Sequence, residues 1–335
     1  STMSTVLFAA VPEGLPSDDT FSVVPTPAPE DAPGGARVQL LALSVDPYMR
    51  GRMRVGVKSY TAAFEVGKPM EGSVVAEVKE SNHSNLKAGD VIAFFGKWST
   101  EQVLTAEQCA SVTKLPPGTP PGVALGVLGG TGLTAYFGFL RVGEAKEGDS
   151  VLVTGAAGAT GMAVVQIAKL KGCRVVGVAG GADKCEFVRS IGADAVIDYK
   201  APGVDLAKEM AAAAPDGFDV FYDNVGGEIF EAAFPHMRDF GRIVQCGAIS
   251  TYNVQDTPPP NIAVWHIIAK RLKWQGFIIT DFMKEWGTAI QDLSKWLQEG
   301  KLKDKTTEVK GIENAGKAFV SLFSGANTGK LYVSI

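Results

Sequence analysis

The stretch that most constrains this chain is 150–172. Val151, Leu152 and Val153 make the short apolar run of a buried parallel strand, and from Met162 to Leu170 the spacing turns helical before Gly172 stops it. Between the two stand Ala156, Ala157, Gly158, Ala159, Thr160 and Gly161, the glycine-rich fingerprint of a dinucleotide site with alanine in place of its first glycine. Gly158 lets the backbone come close to a pyrophosphate, Gly161 lets helix pack on strand, and the helix start offers N–H groups to the phosphate. A merely tight strand-to-helix turn uses the same glycines; the placement between strand and helix is what favours a nucleotide.

Beyond the fingerprint, strand and helix patterns alternate. Strands read at 174–179, 195–197, 218–223 and 241–247, and helices at 183–191, 204–213 and 230–237. This predicts an α/β fold, a doubly wound parallel sheet covered by helices on both faces, with ligands beyond the carboxyl ends of the strands. Three such ends carry small or polar residues, at Gly180 and Gly181, at 224–227 and at 246–252. Each is consistent with ordinary turn chemistry, but their recurrence at one edge points to a ligand. A strand at 273–279, an amphipathic helix at 286–297, a short helix at 319–323 and a last strand at 330–335 follow.

Upstream, 6–124 reads as an all-β domain of short strands, with a proline-rich loop at 25–35 and a turn feeding a strand at 87–94. Prolines and glycines at 115–122 mark a boundary, which predicts an N-terminal domain over 1–124 and an α/β domain over 125–304. The small residues at 129–136 lead into a helix to Leu140; they suit plain packing, or a surface on which a flat ring lies.

Net charge narrows the partners. At −4 the chain has no basic excess to draw nucleic acid or an anionic membrane, and no apolar run reaches the length of a membrane span. With no basic-then-apolar leader, a cytoplasmic protein is expected. Cys109, Cys173, Cys185 and Cys246 lack paired short spacing, and His83, His236 and His266 are scattered singly. Neither a zinc site nor a disulfide framework is expected, and no histidine stands out as catalytic.

Six stretches carry a resemblance: 45–53 (Val-Asp-Pro-Tyr-Met-Arg-Gly-Arg-Met), 132–138, the fingerprint, 223–228, 246–253 and 325–330. Through them the chain resembles the zinc-independent medium-chain dehydrogenases/reductases, and more closely the prostaglandin reductase and leukotriene 12-hydroxydehydrogenase group of NADPH-dependent alkenal and enone reductases. The resemblance implies a GroES-like, mainly β catalytic domain over 1–124, completed by about 305–335, with a Rossmann domain inserted between. It also implies a homodimer. Where zinc-dependent relatives carry cysteine and histidine ligands, this chain has Ser44 to Asp46 and Met70, Glu71 and Gly72, so no metal is expected.

The choice of dinucleotide turns on the end of the second α/β strand. An NAD-specific fold places an acid there; this strand ends in Ala179, Gly180 and Gly181, and Asp183 lies beyond, next to Lys184. NADP(H) is the expected cofactor. In the resembling family the residue matching Lys184 binds the 2′-phosphate with Tyr199 close by, though alone Lys184 also reads as a solvated charge at a helix start. Gly158, Ala159, Thr160 and Gly161 are the pyrophosphate candidates. The resemblance places Asn224, Cys246, Gly247, Ala248, Ile249, Ser250, Tyr252, Phe277, Ile278, Ile279 and Asn327 along the nicotinamide side. The Asn327 amide suits that place on its own terms, since it both donates and accepts.

The expected reaction is hydride transfer from NADPH to the β-carbon of an α,β-unsaturated aldehyde or ketone. Charge then develops on the carbonyl oxygen as an enolate, which an aimed donor stabilises without a metal. Tyr252 is the catalytic candidate. An ordinary phenol with a pKa of about 10 is protonated at neutral pH, and Tyr252 matches the family tyrosine in this place; it orients the substrate or protonates it, with the nicotinamide ribose hydroxyl sharing the work. Tyr48 reads as a substrate-pocket wall or as packing at a strand-to-turn junction. Arg50 and Arg52 read as attractors for an acidic substrate tail or as surface charges. Two other functions fit the same chain: an NADPH-dependent quinone oxidoreductase, and a non-catalytic nucleotide-binding structural or regulatory protein.

Overall fold

The computed structural model describes residues 3–335. They form two compact units. One runs to Gly126 and resumes over Thr306–Ile335; the other is Val127–Lys305.

The first unit opens with β1 (Met3–Phe8) and β2 (Phe21–Thr26), an antiparallel pair. Next come β3 (Ala36–Ser44), β4 (Glu71–Ser81), β5 (Val91–Lys97), β6 (Glu101–Leu104) and β7 (Thr113–Lys114). Side chains alternate along a strand, so Val38 and Leu40 of β3 share one buried face; past a register shift after Leu40 the alternation switches, Leu43 joining that core while Ala42 packs with Val75 on the other face. The unit is not all β. Short helices α1 (Met49–Arg52), α2 (Ala106–Ser111) and α3 (Pro121–Leu125) interrupt it. The second starts with a capping box: the Thr105 hydroxyl accepts from the Gln108 N–H, and the Gln108 side chain accepts from the Thr105 N–H.

The second unit is built on a parallel sheet of β8 (Ser150–Thr154), β9 (Arg174–Ala179), β10 (Ala195–Asp198), β11 (Phe218–Asp223), β12 (Met237–Gln245) and β13 (Lys273–Gly276). Their spatial order is β10-β9-β8-β11-β12-β13, the doubly wound order of dinucleotide-binding sheets. Its helices are α4 (Gly130–Phe137), α5 (Ala159–Leu170), α6 (Ala182–Ser190), α7 (Leu206–Ala213), α8 (Gly227–Ala233), α9 (Trp265–Lys270) and α10 (Trp286–Gln298). On one face Leu152, Ile197, Phe221 and Ile243 pack with Met210 of α7 and Ile229 and Phe230 of α8. Tyr222 points the opposite way from Phe221 and meets the α4 side, where a Cβ on Gly138 would lie 2.8 Å from its ring. Strand order reverses between β8 and β11, which makes the carboxyl ends at Thr154 and Asp223 the expected ligand crevice.

Three elements differ from their sequence-based expectation. The strand expected over 273–279 stops at Gly276, because Phe277 leaves the sheet to lay its ring against Gly138. The helix expected over 230–237 starts earlier, at Gly227, and gives way after Ala233 to a tighter turn at Pro235, which has no N–H to continue it; Met237 already belongs to β12. The small residues of α4 serve packing: a Cβ on Gly132 would lie 1.9 Å from the Val127 carbonyl oxygen, and the rings of Phe277 and Tyr222 lie beyond the helix, on Gly138.

After Lys305 the chain returns to the first unit as β14 (Thr306–Lys310), α11 (Ala315–Ser321) and β15 (Lys330–Ser334). β15 pairs with β3, giving the order β14-β15-β3-β4-β5-β7 with β6 also on β3. The Lys330 ammonium is buried, 2.9 Å from Asp46 Oδ1 and 3.1 Å from the Val45 carbonyl. It anchors the turn that carries Tyr48. Among the described residues no helix is long and apolar enough to cross a membrane.

Candidate dinucleotide site

The fingerprint turn rests on close contacts that only glycine permits. Gly155 holds φ at +59°, in the left-handed region. A Cβ on Gly161 would lie 2.1 Å from the Gly155 carbonyl oxygen, so the first turn of α5 packs directly on the strand end. Gly158 is the N-cap of α5 and places no side chain over the helix start. Ala159, Thr160 and Gly161 form the first helical turn, where backbone N–H groups have no partner within the helix. Such a terminus suits a pyrophosphate.

Beside it, the β9 end fits a phosphate. Gly180 carries no side chain because the Tyr199 ring and the Lys200 side chain lie where a Cβ would be, 2.8 and 2.9 Å away. Asp198 is occupied by the backbone: its Oδ1 accepts from Gly181 N and Lys200 N, both at 2.9 Å, which holds its carboxyl below the usual range. Lys184, half-buried in the first turn of α6, has its pKa lowered by burial and by the neighbouring Lys200 charge. Two ammonium groups that disfavour one another are relieved by an anion between them. Lys200 was missed in the sequence; only the fold brings the end of β10 beside the end of β9.

At the switch point sits a carboxylate. Asp223 is fully buried, and its oxygens accept from the Thr154 hydroxyl (2.6 Å), the backbone N–H of Val225 (3.0 Å) and Gly226 (3.1 Å), and Gln245 Nε2 (2.7 Å). Its main-chain oxygen takes the N–H groups of Cys246 and Gly247. One residue thus ties together the ends of β8, β11 and β12. Asn224 is held alongside, its Nδ2 donating to the Thr154 carbonyl at 2.7 Å.

The 246–252 turn is stitched onto this frame. Ile249 N donates to Asn224 O, and Ser250 bonds Val225 O through both its N–H and its hydroxyl. Cys246 is half-buried beside the Tyr222 hydroxyl, and desolvation pushes its thiol up to about 12, so it stays a protonated thiol. Tyr222 itself donates to the Thr134 carbonyl at 2.9 Å. The Tyr252 hydroxyl folds back over the turn and accepts from Ala248 N at 3.2 Å; a Cβ on Gly247 would lie 2.9 Å from it. Phe277, Ile278 and Ile279 are half-buried where the chain leaves β13.

The remaining candidates belong to the first unit. Tyr48 precedes α1 and packs against the core, and burial together with the Asp46 charge pushes its phenol well up. Asn327 makes a local bond, Nδ2 to Gly329 O at 2.8 Å. Arg50 and Arg52 are buried rather than exposed. Arg50 bonds Gly14 O, while Arg52 bonds Ala62 O, pairs with Glu71 and lies 3.9 Å over the Phe64 ring. Both guanidiniums are engaged in holding their own unit together. Among the described residues no group of three or more His, Cys, Asp or Glu side chains is placed to hold a metal ion.

Comparison with known proteins agrees with this frame. Residues 4–112 match the family model described as N-terminal domain of oxidoreductase, and 159–295 match the one described as zinc-binding dehydrogenase. A putative NADP-dependent oxidoreductase of Bacillus subtilis (strain 168) is 41% identical over 98% of this chain and 97% of its own. Prostaglandin reductase 1 of Bos taurus is 39% identical over 96% and 95%. The crystal structure of CurA from Vibrio vulnificus in complex with NADPH superposes with a TM-score of 0.92 at 37% identity, covering 99% of this chain and 98% of that one. This chain belongs to the medium-chain dehydrogenase/reductase family, in the group that holds prostaglandin reductase 1.

Proposed function

We propose that the protein is an NADPH-dependent reductase of the carbon–carbon double bond in α,β-unsaturated aldehydes and ketones. The observation that carries this reading is Tyr252, a phenol held by a backbone N–H on the same sheet edge as the glycine cradle of α5. Gly158, Ala159, Thr160 and Gly161 receive the pyrophosphate, and Lys184 receives the 2′-phosphate with Lys200 and Tyr199 beside it. Asn224 and the 246–252 turn border the nicotinamide, and Phe277, Ile278 and Ile279 are assigned to the same side. The parts of Tyr48 in the substrate pocket and of Asn327 toward the carboxamide rest on the family resemblance.

Bound NADPH supplies the hydride. The chain's own task is the charge that develops on the substrate carbonyl oxygen. An oxygen that accepts from Ala248 N–H donates its own proton in another direction, and the acceptance strengthens that donation. Tyr252 O–H in this way stabilises the enolate, without a zinc ion. Support also comes from the relatives, whose names are those of an NADP-dependent oxidoreductase and prostaglandin reductase 1. NADPH consumption with trans-2-nonenal or an aryl enone, read at 340 nm beside ortho- and para-quinones, tests the reading. Turnover of the quinones alone would overturn it in favour of quinone reduction, and turnover of neither class would leave a nucleotide-binding protein without this chemistry.

We also assign a homodimer in the cytoplasm. Four cysteines are free thiols, in keeping with a reducing compartment. β13 is an edge strand exposed along its length, and Trp265 (68%), Ile268 (62%) and Phe240 (64%) are exposed in the same unit. An open edge flanked by apolar side chains is a template for twofold pairing with a second copy. Sedimentation velocity at micromolar concentration is expected to give a dimer; a monomer alone would remove this assignment.

A further inference from the structure

We propose that Gln245 is a positioning residue that acts on the Tyr252 hydroxyl through the peptide group joining Gly247 to Ala248, a role that rests on the assignment of Tyr252 above. Gln245 closes β12, and both the nitrogen and the oxygen of its side-chain amide have partners. Nε2 donates to Asp223 Oδ2 at 2.7 Å and to the Gly247 carbonyl at 2.8 Å, while Oε1 accepts from Trp274 Nε1 at 2.9 Å. These partners decide which way the amide faces. Turned over, it would set its nitrogen against the indole N–H and its oxygen against a carboxylate.

The Gly247 carbonyl and the Ala248 N–H are the two ends of one planar peptide group. One end receives a hydrogen bond from Gln245, and the other gives one to Tyr252 Oη at 3.2 Å. Polarising the carbonyl makes the N–H a stronger donor, and the phenol that accepts from it becomes a stronger donor in turn. The fixed peptide also fixes direction: a planar group held at its oxygen cannot rotate its N–H away from Tyr252. Gly247 is required for this arrangement, since a side chain would collide with the phenol oxygen. Asp223 holds Gln245 from the other side, so the frame that joins three strand ends also aims the donor.

The test is a double-mutant cycle on kcat with a saturating enone. Gln245→Met keeps the length of the side chain and removes both donations. It is expected to lower kcat roughly tenfold, the rate equivalent of one lost hydrogen bond. The NADPH dissociation constant, read by fluorescence titration, is expected to stay within about twofold, and the KM for enone likewise. In a Tyr252→Phe background the same substitution is expected to cost nothing further, because the group it acts on has gone. Gln245→Leu, which removes both donations without setting a charge beside Asp223, is expected to lower kcat by a similar factor, and carries the same test if the methionine variant does not fold. An equal loss in both backgrounds would overturn the inference while leaving Tyr252 in place. So would weaker NADPH binding with kcat unchanged. A silent Tyr252→Phe would instead overturn the assignment of Tyr252, and the role of Gln245 with it.

Discussion

Tyr252→Phe is expected to lower kcat on a saturating enone by about 10²–10³, the range measured when one preorganised donor to a developing oxyanion is removed. The ring stays, so packing of the 246–252 turn changes little; what disappears is one O–H. A donor aimed at the carbonyl oxygen acts most strongly when that oxygen carries charge, so the loss belongs in kcat rather than in the KM for substrate. NADPH affinity is expected to stay within about twofold, since the cradle of α5 and the basic pair at Lys184 and Lys200 do not involve the phenol. Stopped-flow decay of NADPH absorbance, with a fluorescence titration beside it, separates the two quantities. Unchanged turnover at saturating enone would remove Tyr252 from the chemistry.

Lys184→Ala is expected to raise the dissociation constant of NADPH by about 10- to 100-fold, the range of one charge-assisted hydrogen bond to a phosphate. NADH affinity is expected to stay within about twofold, because NADH lacks the phosphate to which Lys184 is assigned. The half-buried position of Lys184 raises the expected effect above that of an exposed lysine, which salt and water would screen. Removing one of two neighbouring cations also relieves their repulsion. Titration of both nucleotides at one ionic strength reads the ratio directly. Equal weakening of NADPH and NADH would take Lys184 out of the phosphate site.

How much of this was legible beforehand depends on the range of the interactions. The β8 strand, the glycine turn and α5 depend on local rules, apolar runs and steric freedom at Gly158 and Gly161, and they stand where the pattern placed them. The alternation that follows predicts a parallel sheet, and the sheet has that form. Misplaced boundaries fall where a distant contact overrides local preference. Ile278 and Ile279 have the β-branched character of a strand, but Phe277 finds a better place on Gly138, and the chain leaves the sheet with it.

The candidate site divides in the same way. Tyr252, Asn224 and Lys184 could be named because they stand in recognisable stretches. Asp223 was quoted only as part of a motif, and neither Gln245 nor Lys200 was singled out. Nothing in a linear pattern marks an aspartate that takes donors from three strand ends, since its partners Thr154 and Gln245 lie 69 and 22 positions away. Arg50 and Arg52 show the reverse error. A basic pair in a loop reads as surface charge, yet both are buried against backbone carbonyls of their own unit.

The sequence by itself determined the order of elements and the kinds of chemistry at hand. Periodicity, glycine and proline placement and charge are properties of neighbours along the chain, and they place most of the strands and helices of the second unit to within a few residues while passing over the short helices of the first. Only the tertiary structure decided which polar groups face one another: Asp223 with Thr154 and Gln245, Lys184 with Lys200, and the Tyr252 hydroxyl with a peptide group that Gln245 holds. The reason is burial. Hydrogen bonds and charges acquire direction and strength when groups distant in sequence share a space from which water is excluded, and that space exists only once the sheet has formed.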